Sequence, residues 1–186
     1  SFMEEQRIIS QMDYALAEGQ FEMWLQPQYN HETGAMVGAE ALTRWHIPER
    51  DCMVRPDVFI PIFERNGFIY ELDKYIWEQV CVLLRRWIDE GAEALPVSVN
   101  VSRIDILQKD FFETFTGLVE KHRIPTALLQ LEITESAFSL ETVRIIEMVD
   151  RLKAYGFTIE IDDFGSGYSS FNVLKDVPAD VLKLDM

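Results

Sequence analysis

The chain has 186 residues, of which 48% are hydrophobic and 26% are charged, so it can bury the core of a folded domain and is not expected to be disordered. Its formal net charge is −15, from 32 acidic and 17 basic residues, which argues against binding of a nucleic-acid polymer because such binding depends on neutralising many phosphates. No apolar run approaches the roughly 20 residues of a membrane-spanning helix, and the first residues do not resemble a secretory signal.

The predicted elements alternate between helices and strands. A helix over residues 4–18 precedes two short strands, Met23–Gln28 and Met36–Ala41, and their connection is too short for a parallel crossover, so these strands are expected to be antiparallel neighbours. The elements predicted after them are helices over 57–66, from 72 to about 90, 111–122 and 141–155, strands over 96–101, 128–133, 157–162 and 181–185, and a loop with a short helix over 164–176. This alternation is typical of an α/β fold with a mainly parallel sheet.

The two cysteines, Cys52 and Cys81, lie far apart and form no CxxC or Cys/His cluster. Two free thiols are typical of a reducing compartment. We therefore expect a cytoplasmic protein, or the cytoplasmic part of a membrane-anchored one.

Polar residues recur on one side of the predicted strands. Successive strand residues face opposite sides, so the aliphatic row of each strand can pack against helices while its polar row faces the inside of a sheet or barrel. Parallel barrels carry their active sites at the carboxyl ends of the strands. The polar residues near those ends are Glu40, Asn100, Glu132, Asp162 and Lys183.

The acidic residues of this set, with the adjacent Asp163, outnumber the single lysine, so internal ion pairs cannot neutralise all of them. A bound divalent metal would resolve the conflict, and oxygen ligands without His or Cys suit Mg²⁺ or Mn²⁺ rather than zinc. Asp162 and Asp163 can serve two metals only if the strand twists or breaks there, which the glycines that follow permit. Two metals are the usual device for in-line attack on a phosphodiester. The alternative to a metal site is that these residues form ion pairs with one another.

The segment Asp163-Phe164-Gly165 also resembles a protein-kinase motif. A kinase would need an HRD catalytic loop, a VAIK lysine and a Gly-rich loop, and none of them precedes this segment. The sequence therefore gives no support to a kinase.

A series of short motifs matches a known family in order and separation. Its members are Gln26-Pro27, Gly38–Trp45 with Glu-Ala-Leu at its centre, Asn100–Ser102, Glu132–Ser136, Asp162–Ser170 and Leu182–Asp185. Glu-Ala-Leu alone is weak evidence, because these residues are common helix formers. The series, however, covers nearly the whole chain, and through it the sequence resembles the EAL domains of bacterial signalling proteins.

The resemblance implies a TIM-like (β/α)₈ barrel whose first strand is antiparallel to the rest. It also implies hydrolysis of cyclic di-GMP to linear pGpG, dependent on Mg²⁺ or Mn²⁺. A homodimer is expected, and sensor or GGDEF domains fused outside this sequence are typical of such proteins. About six of the eight strands fall within residues 1–186, so we expect a single EAL domain that lacks its two C-terminal β/α units, including a further metal-site glutamate and a pocket glutamine.

Residue roles follow from the same resemblance. The first metal would be held by Glu40, Asn100, Glu132 and Asp162, and the second would be shared by Asp162 and Asp163. Lys183 would position the attacking water, which makes Lys183, Glu40 and Asp162 the expected catalytic residues. Arg44 would contact a phosphate, with a surface ion pair as its alternative role, and Gln26 would line the nucleotide pocket, with a core hydrogen bond as its alternative.

Two other functions stay open at this point. One is a catalytically inactive EAL receptor that binds cyclic di-GMP, because the missing glutamate alone could abolish turnover. The other is a purely structural interaction domain, which would leave the inward-facing acids without a purpose. The presence of Glu40, Asp162 and Asp163 favours the enzyme.

Overall fold

Strands and helices alternate throughout the computed structural model, which describes residues 2–139, 141–164 and 175–184. The strands are β1 (Phe21–Tyr29), β2 (Met36–Ile47), β3 (Cys52–Val54), β4 (Val97–Asn100), β5 (Leu129–Thr134), β6 (Thr158–Phe164) and β7 (Val181–Leu184). The α-helices are α1 (Phe2–Ala17), α2 (Pro56–Asn66), α3 (Ile69–Asp89), α4 (Arg103–Ile106), α5 (Phe111–His122) and α6 (Thr142–Tyr155).

The strands form one sheet in the order β1-β2-β4-β5-β6-β7, with β3 paired to β2 outside this path. β1 is antiparallel to β2, and every pairing from β2 through β7 along the path is parallel. The predicted α/β fold, with its mainly parallel sheet and antiparallel first strand, is confirmed. Since all parallel strands end at the same edge, their terminal side chains can meet there.

Three features differ from the sequence prediction. β2 extends six residues beyond the predicted end at Ala41, because Trp45 and Ile47 continue the buried alternation. Its extension forms an unpredicted hairpin with β3. The short helix α4 was also missed, although Ser102 and Asp105 form a reciprocal capping box at its start.

The helices pack against the sheet through two apolar clusters. The larger cluster joins α3, α5 and α6 to β4, β5 and β6, and it includes Trp77, Phe115, Leu131 and Ile159, each at most 1% exposed. The second cluster lies beneath β1 and β2 and is dominated by rings whose centroids are 4.8 to 6.5 Å apart, namely Phe21, Trp45, Phe59, Phe63 and Phe68. Burial of each such ring contributes roughly 1.5–3 kcal/mol, so these clusters fix the sheet that carries the site.

β7 is the last strand of the described sheet, and the side chains of Val181 and Leu182 are 41% and 50% exposed. The loop and short helix predicted over 164–176 lie largely outside the described residues, because only Phe164, which ends β6, and residues 175–176 are described. Within the described part of the chain, no helix is both long and apolar enough to span a bilayer.

Candidate active site

The polar residues predicted at the carboxyl ends of the strands come together on the side of the sheet away from the helix-packed core. Lys183 on β7 donates to Oε2 of Glu132 on β5 at 2.7 Å, and its Nζ is 3.9 Å from Oε2 of Glu40 on β2. The Asn100 side chain on β4 donates to the carbonyl of Ala41 at 3.4 Å and lies beside Glu40, and Asp162 on β6 lies beside Glu132. Five residues spread over 144 positions of the sequence therefore form one cluster.

Glu160 is a further member of this cluster that the predicted site did not include. Its Oε2 is 3.1 Å from Lys183 Nζ and accepts a hydrogen bond from Ser98 Oγ at 3.2 Å. Glu160 lies two residues before Asp162 on the same strand, so the alternation of the strand was the signal that could have identified it. The single lysine therefore faces three carboxylates, and the excess of negative charge expected from the sequence is present in the structure.

Burial and mutual repulsion perturb these groups. Burial raises the pKa of the Glu132 carboxyl to about 8, with a further contribution from the charge of Glu40, although Lys183 opposes the rise. Burial also raises the pKa of Glu40, against the opposing effects of Lys183 and Asn100. For Lys183, burial lowers the pKa, but its contacts with Glu132 and Glu160 outweigh burial and raise it above the usual range. Lys183 is thus a stable cation among carboxylates that cannot all be charged without another cation.

The donor chemistry of this cluster fits a divalent metal. Oε1 of Glu132 is buried and has no hydrogen-bond partner, which leaves a carboxylate oxygen available to a cation. The surrounding groups are carboxylates and an amide, the ligands that Mg²⁺ and Mn²⁺ prefer. Among the described residues, however, no three Asp, Glu, His or Cys side chains already stand in a metal-binding arrangement. Metal ligation by these residues therefore stays a prediction.

The regular strand conformation of β6 is interrupted at Asp162 and Asp163. Such an interruption is what binding of two metals by adjacent aspartates would require. Asp163 has a φ of +56°, in the left-handed region, and the pairing of β6 with β7 shifts register between Ile161 and Phe164. A non-glycine residue in this conformation is strained and is common at functional sites. Asp163 itself adopts this conformation, and the glycines that were expected to permit the break lie outside the described residues.

Gln26 and Arg44 both lie beside the acidic cluster. Gln26 is exposed and pairs directly with Glu40 across β1 and β2, so its alternative role as a core hydrogen-bonding residue does not apply. Arg44 donates to the carbonyl of Thr43 at 2.9 Å, and no carboxylate of the described residues lies within 4.0 Å of its guanidinium. The surface ion pair considered for Arg44 is therefore absent from the described part of the chain.

A cavity of about 660 Å³ lies at this end of the sheet. Its wall includes Glu40, Arg44, Asn100 and Glu132 at the strand ends, and α2 and the start of α3 form the opposite side. Ligand pockets usually measure roughly 300–1,000 Å³, so the cavity has room for a dinucleotide-sized ligand.

The cavity also borders a buried pair of carboxyl groups that the sequence did not suggest. Asp73 lines the cavity from α3 and is in hydrogen-bonding contact with Asp105, which is fully buried. Asp105 accepts the backbone N–H of Ser102 at 2.7 Å, and this bond favours its charged form. Burial, reinforced by Asp105, raises the pKa of Asp73 well above its usual range, and burial also raises the pKa of Asp105, so the pair retains a proton.

The chain is similar in sequence to known proteins. The family model described as the EAL domain matches residues 9–186. The bifunctional diguanylate cyclase/cyclic di-GMP phosphodiesterase MucR of Pseudomonas aeruginosa is 31% identical over 182 residues, and the cyclic di-GMP phosphodiesterase NbdA of the same organism is 32% identical over 182 residues. Each match covers 98% of this chain but only 26% of MucR and 23% of NbdA, so the chain spans about a quarter of the length of these relatives.

The similarity extends to three dimensions. A solved structure of the MucR phosphodiesterase in complex with c-di-GMP superposes with a TM-score of 0.89 and 31% sequence identity, over 96% of this chain and 72% of that one. The chain belongs to the EAL-domain family.

Proposed function

We propose that this domain hydrolyses one phosphodiester of cyclic di-GMP to give linear pGpG in a reaction that requires Mg²⁺ or Mn²⁺. The observation that carries the proposal is the convergence of Glu40, Asn100, Glu132, Asp162 and Lys183 at one end of the sheet, beside a cavity of nucleotide size. The names of MucR and NbdA as cyclic di-GMP phosphodiesterases support the same substrate.

The proposed residue roles are those that the family resemblance implies, and the chemistry of each residue is compatible with its role. Two metals would be held by Glu40, Asn100, Glu132, Asp162 and Asp163. When bound, such metals would lower the pKa of a water molecule and neutralise charge on the phosphate oxygens. The Lys183 ammonium, held by Glu132 and Glu160, is a fixed donor that orients a water molecule for attack. Arg44 would bind a phosphate oxygen, since its guanidinium forms no ion pair with the described carboxylates. Gln26, exposed and opposite Glu40, would hydrogen-bond the nucleotide.

The experiment is an incubation of the purified protein with cyclic di-GMP and Mn²⁺ or Mg²⁺, followed by chromatography for pGpG. We expect product only when the metal is present, and a loss of about 10²-fold or more in Asp162→Asn, which keeps the size of the side chain but removes its charge. Asp150→Asn is the matched control, because Asp150 is an exposed residue on α6. Unchanged turnover in Asp162→Asn would show that the metal assignment is wrong.

The second candidate is a receptor that binds cyclic di-GMP without hydrolysing it. The perturbed carboxylates favour the enzyme, because groups with shifted pKa values are typical of catalytic sites. Dinucleotide binding without metal-dependent product would support the receptor instead. The homodimer, the fused sensor or GGDEF domain and the cytoplasmic location also remain predictions from the sequence.

A further inference from the structure

Trp24 is a large aromatic residue at the edge of the candidate site to which the proposed function gives no role. It lies on β1, and its partner across the strand pair is Leu42, two residues beyond Glu40 in β2. Since directly paired residues of antiparallel strands share a face, Trp24 lies on the same side of the sheet as Glu40 and Gln26, nearer the carboxyl end of β2. Its neighbours Leu42 and Arg44 both line the cavity.

Trp24 is the most exposed of the four tryptophans of this chain. Its side chain is 51% exposed, whereas Trp45 and Trp77 are 0% and 1% exposed and belong to the apolar clusters. Folding therefore leaves a large apolar ring in contact with water beside a polar cavity. An exposed ring in this position has a face available to a ligand.

The indole is also held in a defined orientation. Its Nε1–H donates to Oε2 of Glu22 at 2.8 Å, and Cζ of Arg44 lies 5.8 Å from the ring centroid in a cation–π contact. Glu22 and Arg44 are direct partners across the strand pair, so two adjacent side chains on the same face as Trp24 orient the ring. An oriented ring loses little conformational freedom when it binds a ligand.

We propose that Trp24 is a stacking platform for one purine base of the dinucleotide, placed beside the phosphate-binding guanidinium of Arg44. This inference rests on the proposed function. A nucleotide joins a flat aromatic base to an anionic phosphate, and the Trp24–Arg44 pair presents a flat aromatic ring next to a cation. Stacking accepts any base, so Trp24 contributes affinity, and hydrogen-bonding groups elsewhere must select guanine.

The test measures binding of cyclic di-GMP in EDTA and hydrolysis in Mg²⁺ for the wild type and three variants. In Trp24→Ala we expect Kd or KM to rise about 5- to 150-fold, the range for loss of one base–aromatic stack, while kcat changes little. Trp24→Phe keeps an aromatic face and should keep most of the affinity. Binding should quench the tryptophan fluorescence of the wild type but not that of Trp24→Phe. The control is Trp87→Phe, at a partly buried tryptophan near the opposite end of β2, and its fluorescence should still be quenched.

The outcomes separate the two proposals. A wild-type protein that neither binds nor hydrolyses cyclic di-GMP overturns the proposed function and this inference together. Binding or hydrolysis by the wild type with unchanged Kd and KM in Trp24→Ala overturns the stacking role alone. If Trp24→Ala leaves Kd unchanged but alters the oligomeric state in size-exclusion chromatography, the ring contacts a protein partner and the stacking role is wrong.

Discussion

Replacement of Asp73 by asparagine should stabilise the protein at neutral pH. Asp73 is buried in α3 against Asp105, and burial, followed by the repulsion from Asp105, raises the pKa of Asp73 well above that of an exposed aspartate. In the unfolded chain Asp73 ionises near pH 3.9, so between that pH and its folded pKa the folded state retains a proton that the unfolded state has lost. An asparagine amide can donate to Asp105 as the protonated acid does, without the titration.

The sign and size of the effect follow from proton linkage. A group whose folded pKa is raised contributes its full stability below its unfolded pKa and loses that stability as pH rises towards the folded value. Each pH unit in this window costs about 1.4 kcal/mol for one proton. Because the pKa of Asp73 is raised well above its usual range, we expect the free energy of unfolding of Asp73→Asn at pH 7 to exceed that of the wild type, by at least on the order of 1 kcal/mol. Near pH 4 the two proteins should converge.

The assay is urea unfolding followed by circular dichroism at pH values from 4 to 8. The free energy of unfolding of the wild type should fall more steeply with rising pH than that of Asp73→Asn. The difference between the two slopes should approach the value for one proton bound by the folded state and not by the unfolded state. Asp150→Asn, at an exposed position in α6, should run parallel to the wild type. Parallel curves for Asp73→Asn and the wild type would show that the pair holds no extra proton, and the reasoning would be refuted.

Two further predictions concern thiol reactivity and backbone conformation. Burial raises the pKa of the Cys81 thiol to about 12, whereas Cys52 is exposed. A thiol reagent at pH 8 should therefore modify one thiol per chain in the native state and two in denaturant. Rapid modification of both thiols in the native state would contradict the burial of Cys81. Gly156 has a φ of +121°, and an added Cβ would lie 2.7 Å from Thr126 Oγ1. Gly156→Ala should therefore destabilise the protein by about 1–3 kcal/mol in thermal or urea unfolding. The matched variant Gly117→Ala in α5, where nothing lies within 4 Å of the added Cβ, should instead stabilise by up to about 1 kcal/mol, and equal effects of the two substitutions would contradict this explanation.

The sequence alone determined the fold class and most of the site. Periodicity distinguished helices from strands, and the short connection before Met36 required an antiparallel pair. The alternation along each strand placed Glu40, Glu132 and Lys183 on one side, because a strand side chain has only two directions in which to point. These are local properties, and the structure confirms the sheet and brings the polar set together.

Only the tertiary structure decided which of these side chains touch. Lys183 contacts Glu132 and Glu160 because the sheet brings their carboxylates, on two other strands, within 3.1 Å of its Nζ, and no local pattern encodes such a distance. Asp73 and Asp105 are 32 positions apart in sequence and form a carboxyl pair where α3 and α4 meet in the interior. The half-exposed ring of Trp24 likewise depends on what the neighbouring elements leave uncovered. Periodicity specifies the face of an element, whereas contact, burial and pKa depend on how the faces of distant elements pack.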